Sequence, residues 1–116
     1  MKVIYKVWLD NNGKAFGEGP YELLKRVEKT QSLHQAAIQM GMAYSKAWKL
    51  VLTMEKRLGF ALLIRKVGGL TGGGSKITPQ ARNLIKHYGP FRKDVEKTMQ
   101  KIYKRHFSNL KKEVSI

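Results

Sequence analysis

Residues 32–59 hold two short apolar-periodic segments separated by one glycine, and this pattern restricts the fold more than any other. Ser32-Leu33-His34-Gln35 matches a capping box, in which Ser32 accepts from a free amide and Gln35 reaches back. The first helix then turns Leu33, Ala36, Ala37 and Met40 inward, and Gly41 stops it. A second helix over about 44–58 gathers Ala47, Leu50, Val51, Met54 and Leu58 on one side, with Gly59 as its left-handed cap. Ala37 supplies the small residue where two helices touch, Gly41 the turn, and Ala36, Met40, Met42, Ala47 and Leu50 the apolar positions that fix their angle. That is the arrangement of a helix-turn-helix.

The flanking segments supply the rest of a small domain. Val3, Tyr5, Val7 and Leu9 alternate as one face of a strand, Asn11-Asn12-Gly13 is a turn, and Lys14-Ala15-Phe16 can return as a short partner. Pro20 fits the first turn of a helix with Leu23, Leu24 and Val27 inward, ending near Thr30. After Gly59, residues 62–67 read as a strand, 68–74 as a glycine-rich loop, and Ser75-Lys76-Ile77 as the returning strand. Thr78-Pro79 is an N-cap and first-position proline for a last helix carrying Ala81, Leu84, Ile85 and Tyr88. Gly89-Pro90 is expected to kink or break that helix, and residues from about Ser108 to fray. The predicted fold is α+β and mostly helical, a winged helix-turn-helix of order β-α-α-α-β-β-α. The predicted divisions are a DNA-binding domain over 1–78, a dimerisation helix over 79–107 and a frayed tail over 108–116.

Charge then selects a partner. Lys and Arg number 23 against 8 acidic residues, a net of +15, and most of the excess lies after position 43. A field of this size draws polyanions, whereas solubility alone needs a net charge of roughly 2–8. The helix over 44–58 turns Ser45, Lys49, Thr53 and Lys56 away from its apolar side, with Lys46 at the edge. Lys46 and Lys49 are the first candidates for bases or phosphates, and Tyr44 and Ser45 lie at the helix start, where base edges are met. Trp48 falls on the flank, either as a wedge between helix and wing or as a DNA contact. Arg65, Lys66, Ser75 and Lys76 border the wing and are assigned to the DNA backbone.

Several function classes fall away. The chain contains no cysteine, which excludes disulfides and thiolate metal sites. His34, His87 and His106 lack metal-ligand spacing, and the glycine loop misplaces the lysine and hydroxyl of a P-loop. No nucleophile–base set or carboxylate pair emerges, so neither an enzyme nor a cofactor is expected. The longest apolar run, 60–64, is far short of the ~20 residues a bilayer needs, and no secretory signal is seen; a cytoplasmic protein without a membrane partner is expected.

From Ala36-Ala37 through Arg65, including Met54-Glu55-Lys56-Arg57-Leu58-Gly59 and Leu62-Leu63-Ile64-Arg65, the chain resembles the winged N-terminal domain of LysR-type regulators. Tyr44-Ser45-Lys46-Ala47-Trp48, the glycine run 68–74 with Ser75, and Ile77-Thr78 are closer still to the DNA-binding domain of ModE-type molybdate-responsive repressors. The resemblance implies a transcription regulator that binds double-stranded DNA as a homodimer, through a helix bearing Leu84, Ile85, Tyr88, Phe91, Val95 and Ile102. Ala43 departs from the pattern, since the family commonly places a capping serine there. In the family a separate molybdate-binding domain follows, and this sequence ends at Ile116, so molybdate binding is not expected. The alternative reading is a non-specific architectural nucleic-acid-binding protein; a protein-interaction adaptor of the same fold is a more distant one.

Overall fold

The computed structural model describes residues 1–66 and 74–114, with Lys66 and 111–114 as backbone only. Its elements are β1 (Trp8–Asp10), β2 (Lys14–Gly17), α1 (Glu18–Thr30), α2 (Leu33–Gln39), α3 (Tyr44–Leu58), β3 (Leu63–Lys66), β4 (Gly74–Ile77) and α4 (Pro79–Val114). β1 with β2 and β3 with β4 form two separate antiparallel hairpins. The order is therefore that of a winged helix-turn-helix with an added N-terminal hairpin.

The opening alternation predicts a strand from Val3, but pairing begins only at Trp8. The cause is the partner. β2 has four residues and α1 starts at Glu18 directly after it, so nothing remains to pair with 3–7. What the hairpin does supply is Phe16, fully buried beside Leu23, Leu24 and Val27 of α1. Burying side chains of this size stabilises by about 1.5–3 kcal/mol each. Leu33, Ala36 and Ala37 of α2, Ala47, Val51 and Met54 of α3, Leu62 and Leu63, Ile77 of β4, and Ala81 and Tyr88 of α4 complete one core. Leu50 and Leu58, expected inside, are partly buried at its margin.

Short links hold the helices at fixed angles. Ser32 Oγ accepts from the Gln35 N–H at 3.0 Å, as the capping pattern predicts. The return half of the box is replaced: the Ser32 N–H donates to Thr30 Oγ1 at 3.3 Å, because α1 ends only two residues earlier. Gly41, at φ +64°, closes α2 by donating to the Ile38 carbonyl at 3.0 Å, while the Met42 N–H donates to Ala37 at 3.0 Å. This is the paired closure that favours glycine.

α4 departs most from expectation. It runs unbroken through Gly89-Pro90 and on to Val114, past the point where fraying is expected. Proline removes one helical hydrogen bond. The carbonyl it leaves free is that of Lys86, an exposed residue, so water can satisfy it. At about 1.5 Å per residue the 36-residue helix is some 54 Å long. It accounts for a longest dimension of 66 Å and a radius of gyration of 18.4 Å, against roughly 13 Å for a compact chain of this length.

Thr78 joins wing to helix. Its hydroxyl donates to the Ala61 carbonyl at 2.7 Å and accepts from the Ala81 N–H at 3.0 Å, and its own N–H donates to Leu62 at 3.0 Å. Replacing Thr78 with Val keeps the volume but leaves the buried Ala81 amide and the part-buried Ala61 carbonyl without that partner. Denaturant melts of Thr78→Val should show a loss of about 1–3 kcal/mol; an unchanged midpoint would refute this role.

Candidate nucleic-acid interface

The exposed side of α3 is set by what the opposite side buries. With Ala47, Val51 and Met54 in the core, Ser45, Lys46, Lys49 and Lys56 are exposed. Ala43 precedes the helix in an extended conformation and offers no side-chain acceptor, so the amides of the first turn lack a side-chain cap. α3 therefore starts at Tyr44 without a capping side chain. The Tyr44 ring is exposed and meets His34 edge-on at 5.4 Å, which ties the start of α3 to α2. Leu52 is a large exposed residue on the same helix. By helical periodicity it lies beside Ser45 and Lys56, a position that neither the apolar nor the polar stripe of the sequence flags.

The far end of α3 is held from two directions. Gly59, at φ +84°, donates to the Glu55 carbonyl at 2.9 Å and ends the helix. Glu55 Oε2 then accepts from Leu62 N–H at 2.7 Å and Leu63 N–H at 3.3 Å, fixing the direction of β3. From the other side, Arg57 Nη1 donates to the Lys14 carbonyl at 2.7 Å, and Asn11 Nδ2 donates to the Arg57 carbonyl at 2.7 Å. The N-terminal hairpin thus clasps α3. Spacing alone did not reveal Glu55 or Arg57, because both act on backbone distant in sequence.

The wing distributes its candidate residues unequally. Leu63 pairs with Ile77, Ile64 with Lys76, Arg65 with Ser75 and Lys66 with Gly74. Alternation puts Leu63, Ile77, Arg65 and Ser75 on one face and Ile64 with Lys76 on the other. Ser75 is only 8% exposed and its N–H donates to the Gln31 carbonyl at 3.0 Å. Ser75 therefore anchors the wing to the α1–α2 turn and does not join an outer contact surface. Lys76 is exposed on the opposite face. Arg65 lies over the Trp48 ring, its guanidinium carbon 4.1 Å from the centroid. Trp48 is itself partly buried against the core, so it fills the angle between α3 and the wing. The wing residues 67–73, with most of the glycine run, lie outside the described residues, and Lys66 is described only as the backbone partner of Gly74.

The residues assigned to dimerisation also divide. Tyr88 is 3% exposed, edge-on to Phe16 at 5.1 Å and tilted against Tyr21 at 5.1 Å. It belongs to the core of its own chain, and burial, reinforced by Glu18, pushes its hydroxyl pKa up. Leu84 and Ile85 pack partly on the same core. Phe91 and Ile102, 40% and 41% exposed, stay outside it with half-buried Val95. Phe107 and Leu110 are also exposed further along α4, with Phe107 stacked on Tyr103 at 5.4 Å.

Carboxylates are concentrated on α1. Glu22 pairs with Arg26, Glu28 with Arg82, and Glu18 with Arg92. Lys46, Lys49, Lys56 and Lys76 have no such partner among the described residues. A cleft of about 580 Å³ beside the N-terminal arm contains Tyr5, Trp8, Glu18, Tyr88, Arg92 and Glu96. Its polar groups are the Glu18–Arg92 ion pair, the phenols of Tyr5 and Tyr88, Lys6, Lys14 and Glu96. Among the described residues no His, Asp and Glu group could hold a metal, and no helix is long and apolar enough to cross a membrane.

The sequence profile of the bacterial regulatory helix-turn-helix proteins, lysR family, matches residues 21–82, from α1 to the start of α4. The molybdenum-pterin-binding protein MopB of Rhodobacter capsulatus is 32% identical over 98 residues, covering 84% of this chain and 36% of that protein. The molybdenum transport protein ModE of Azotobacter vinelandii is 26% identical over 93 residues, covering 80% and 34%. The DNA-binding transcriptional dual regulator ModE of Escherichia coli K12 is 33% identical over 66 residues, covering 57% and 25%. The chain spans about a third or less of the length of these relatives.

The stacked pair at the helix–wing junction gives a direct test. A guanidinium over an indole contributes about 0.5–1 kcal/mol at a partly exposed site. Stability measured for Trp48→Leu, Arg65→Gln and the double variant should be non-additive by that amount. Strict additivity would show that the stack does not couple α3 to the wing.

Proposed function

Because the chain belongs to the lysR family of bacterial regulatory helix-turn-helix proteins, we propose that it is a transcriptional regulator binding double-stranded DNA sequence-specifically as a homodimer. α3 enters the major groove, with Tyr44, Ser45, Lys46 and Lys49 at the bases and adjacent phosphates. The β3–β4 wing follows the flanking backbone through Arg65, Lys66 and Lys76. One observation carries this reading: the outer face of α3 joins exposed lysines without carboxylate partners to a helix start without a side-chain cap. Both features favour an anion. Trp48 acts by holding Arg65 beside that face rather than by reaching the DNA. Molybdenum, which the relatives' names carry, forms no part of the proposal.

A specific regulator differs from an architectural protein in its response to competitor DNA. It should prefer its site over unrelated duplex by about 10³-fold or more. Where Lys46 or Lys49 meets a phosphate, its replacement by Ala should lower the slope of log affinity against log salt by about 0.9. A lysine that reads a base should instead relax preference at one position. A salt-independent affinity, or one insensitive to both substitutions, would overturn the assignment of α3.

The homodimer rests on Phe91, Val95 and Ile102. They continue the apolar side of α4 beyond Tyr88, where the core of one chain no longer covers it. Pairing two such stripes contributes about 25 cal/mol per Å² of apolar area removed from water. A two-fold dimer presents two α3 helices to major grooves about one helical turn, or a multiple, apart, so the operator is an inverted repeat. Val95→Asp with Ile102→Asp should yield folded monomers that bind one half-site but lose affinity for the full site. A wild-type chain sedimenting as a monomer with and without DNA would refute the dimer.

A further inference from the structure

The side of α4 opposite its apolar stripe carries a second arrangement of charge. Lys86, Lys93, Lys97, Lys101 and Lys104 are all exposed. At 3.6 residues per turn they fall within about 80° of one another, on the side facing away from Ala81, Tyr88 and Val95. From the first to the last they span about 27 Å of helix. Asp94 lies at the edge of this line, and none of the five lysines forms an ion pair with a described residue. The arginines of the same helix behave differently: Arg82 and Arg92 are paired with Glu28 and Glu18 of α1.

This spacing works against the helix that carries it. Lys93 with Lys97 and Lys97 with Lys101 stand at i,i+4, and Lys101 with Lys104 at i,i+3, where like charges destabilise and a glutamate would stabilise. Only Glu96, three residues after Lys93, and Asp94, three before Lys97, stand at compensating spacings, and Lys101 and Lys104 have no acidic residue three or four positions away. A local rule broken repeatedly along one line is expected of a surface that meets an external partner. The partner must be anionic along a length comparable to the stripe. Lysine suits repeated phosphates, since an ammonium acts as a point charge without the planar matching an arginine requires. Of extended polyanions, duplex DNA is favoured, because the proposed function already brings it to the same molecule.

We propose that this lysine stripe is a second, sequence-independent binding surface for the phosphate backbone of duplex DNA, outside the segment held by α3 and the wing. The surface depends on the proposed function only for the choice of polyanion. Its position on α4 separates it physically from Lys46 and Lys49.

The test uses the full chain with a random-sequence 60-base-pair duplex, titrated across a range of salt. A stripe variant replaces Lys93, Lys97, Lys101 and Lys104 with Gln, which preserves helix propensity; circular dichroism confirms the helix. A second variant carries Lys46→Ala and Lys49→Ala. If the four lysines each displace one counterion, the stripe variant should lose about 3.6 from the log–log salt slope. The α3 variant should retain that contribution. Equal slopes for wild type and stripe variant would overturn the stripe while leaving the α3 reading intact. A stripe-variant deficit with no effect of the α3 substitutions would do the reverse. A stripe variant that binds DNA normally but no longer binds phosphatidylserine vesicles bound by the wild type would assign the stripe to a membrane and overturn this proposal.

Discussion

The fold depends on how closely α2 can approach α3, and that distance is set by side chains that end at Cβ. Ala36, Ala37 and Ala47 are fully buried where these helices meet. A seven-residue helix such as α2 is too short to persist alone. It exists because Ser32 caps its start, the Gly41 closure satisfies its end, and its alanines let it lie directly on α3. A larger side chain at any of the three would separate the helices and rotate the exposed face of α3 relative to the rest of the domain. The small residues thus determine which way the lysines face, although they never contact a ligand themselves.

The wing takes its position from α3 in turn. Glu55 is the one acidic residue between Tyr44 and Thr78. Its carboxylate is occupied by the amides of Leu62 and Leu63, so it does not offset the surrounding lysines at the outer face. The same carboxylate therefore directs β3 and leaves the interface basic. Arg57 does the equivalent on the other side, directing its cation into the N-terminal hairpin. The base of the wing is closed by backbone contact: a Cβ at Gly74 would lie 2.8 Å from the Gln31 carbonyl oxygen, so only glycine permits the approach that lets Ser75 bond there. Helix, hairpin and wing consequently behave as one shaped surface.

Much of this was legible in the sequence because local signals and burial agree there. Ser32, Gly41, Gly59 and Thr78 mark element ends through their own chemistry, and the helical period of α3 separates its core and outer faces without tertiary knowledge. What escaped were features decided by a partner distant in the chain. The strand expected from Val3 failed because β2 is short. Ser75 appeared to be a contact residue until its β4 register turned it toward Gln31. Tyr88 looked like part of a dimer stripe, yet Phe16 and Tyr21 enclose it. Glu55 and Arg57 gave no pattern at all, since each works on backbone from another element.

The Gly89-Pro90 pair shows how a sequence signal can be right about position and wrong about consequence. It falls where α4 leaves the domain: Tyr88 and Gly89 are buried, and Pro90 is exposed. A Cβ at Gly89 would lie 2.9 Å from the Tyr21 hydroxyl, so glycine permits a close approach of helix to core there. Proline follows at an exposed position, the carbonyl it frees belongs to exposed Lys86, and the helix tolerates it. The pair therefore marks the boundary of the folded core rather than the end of the helix. Beyond it Phe91 and Ile102 stay exposed, and the opposite side of α4 carries lysines without an ion-pair partner among the described residues. The two faces of the projecting half are therefore the ones to which the proposed dimer and the proposed DNA-backbone surface are assigned.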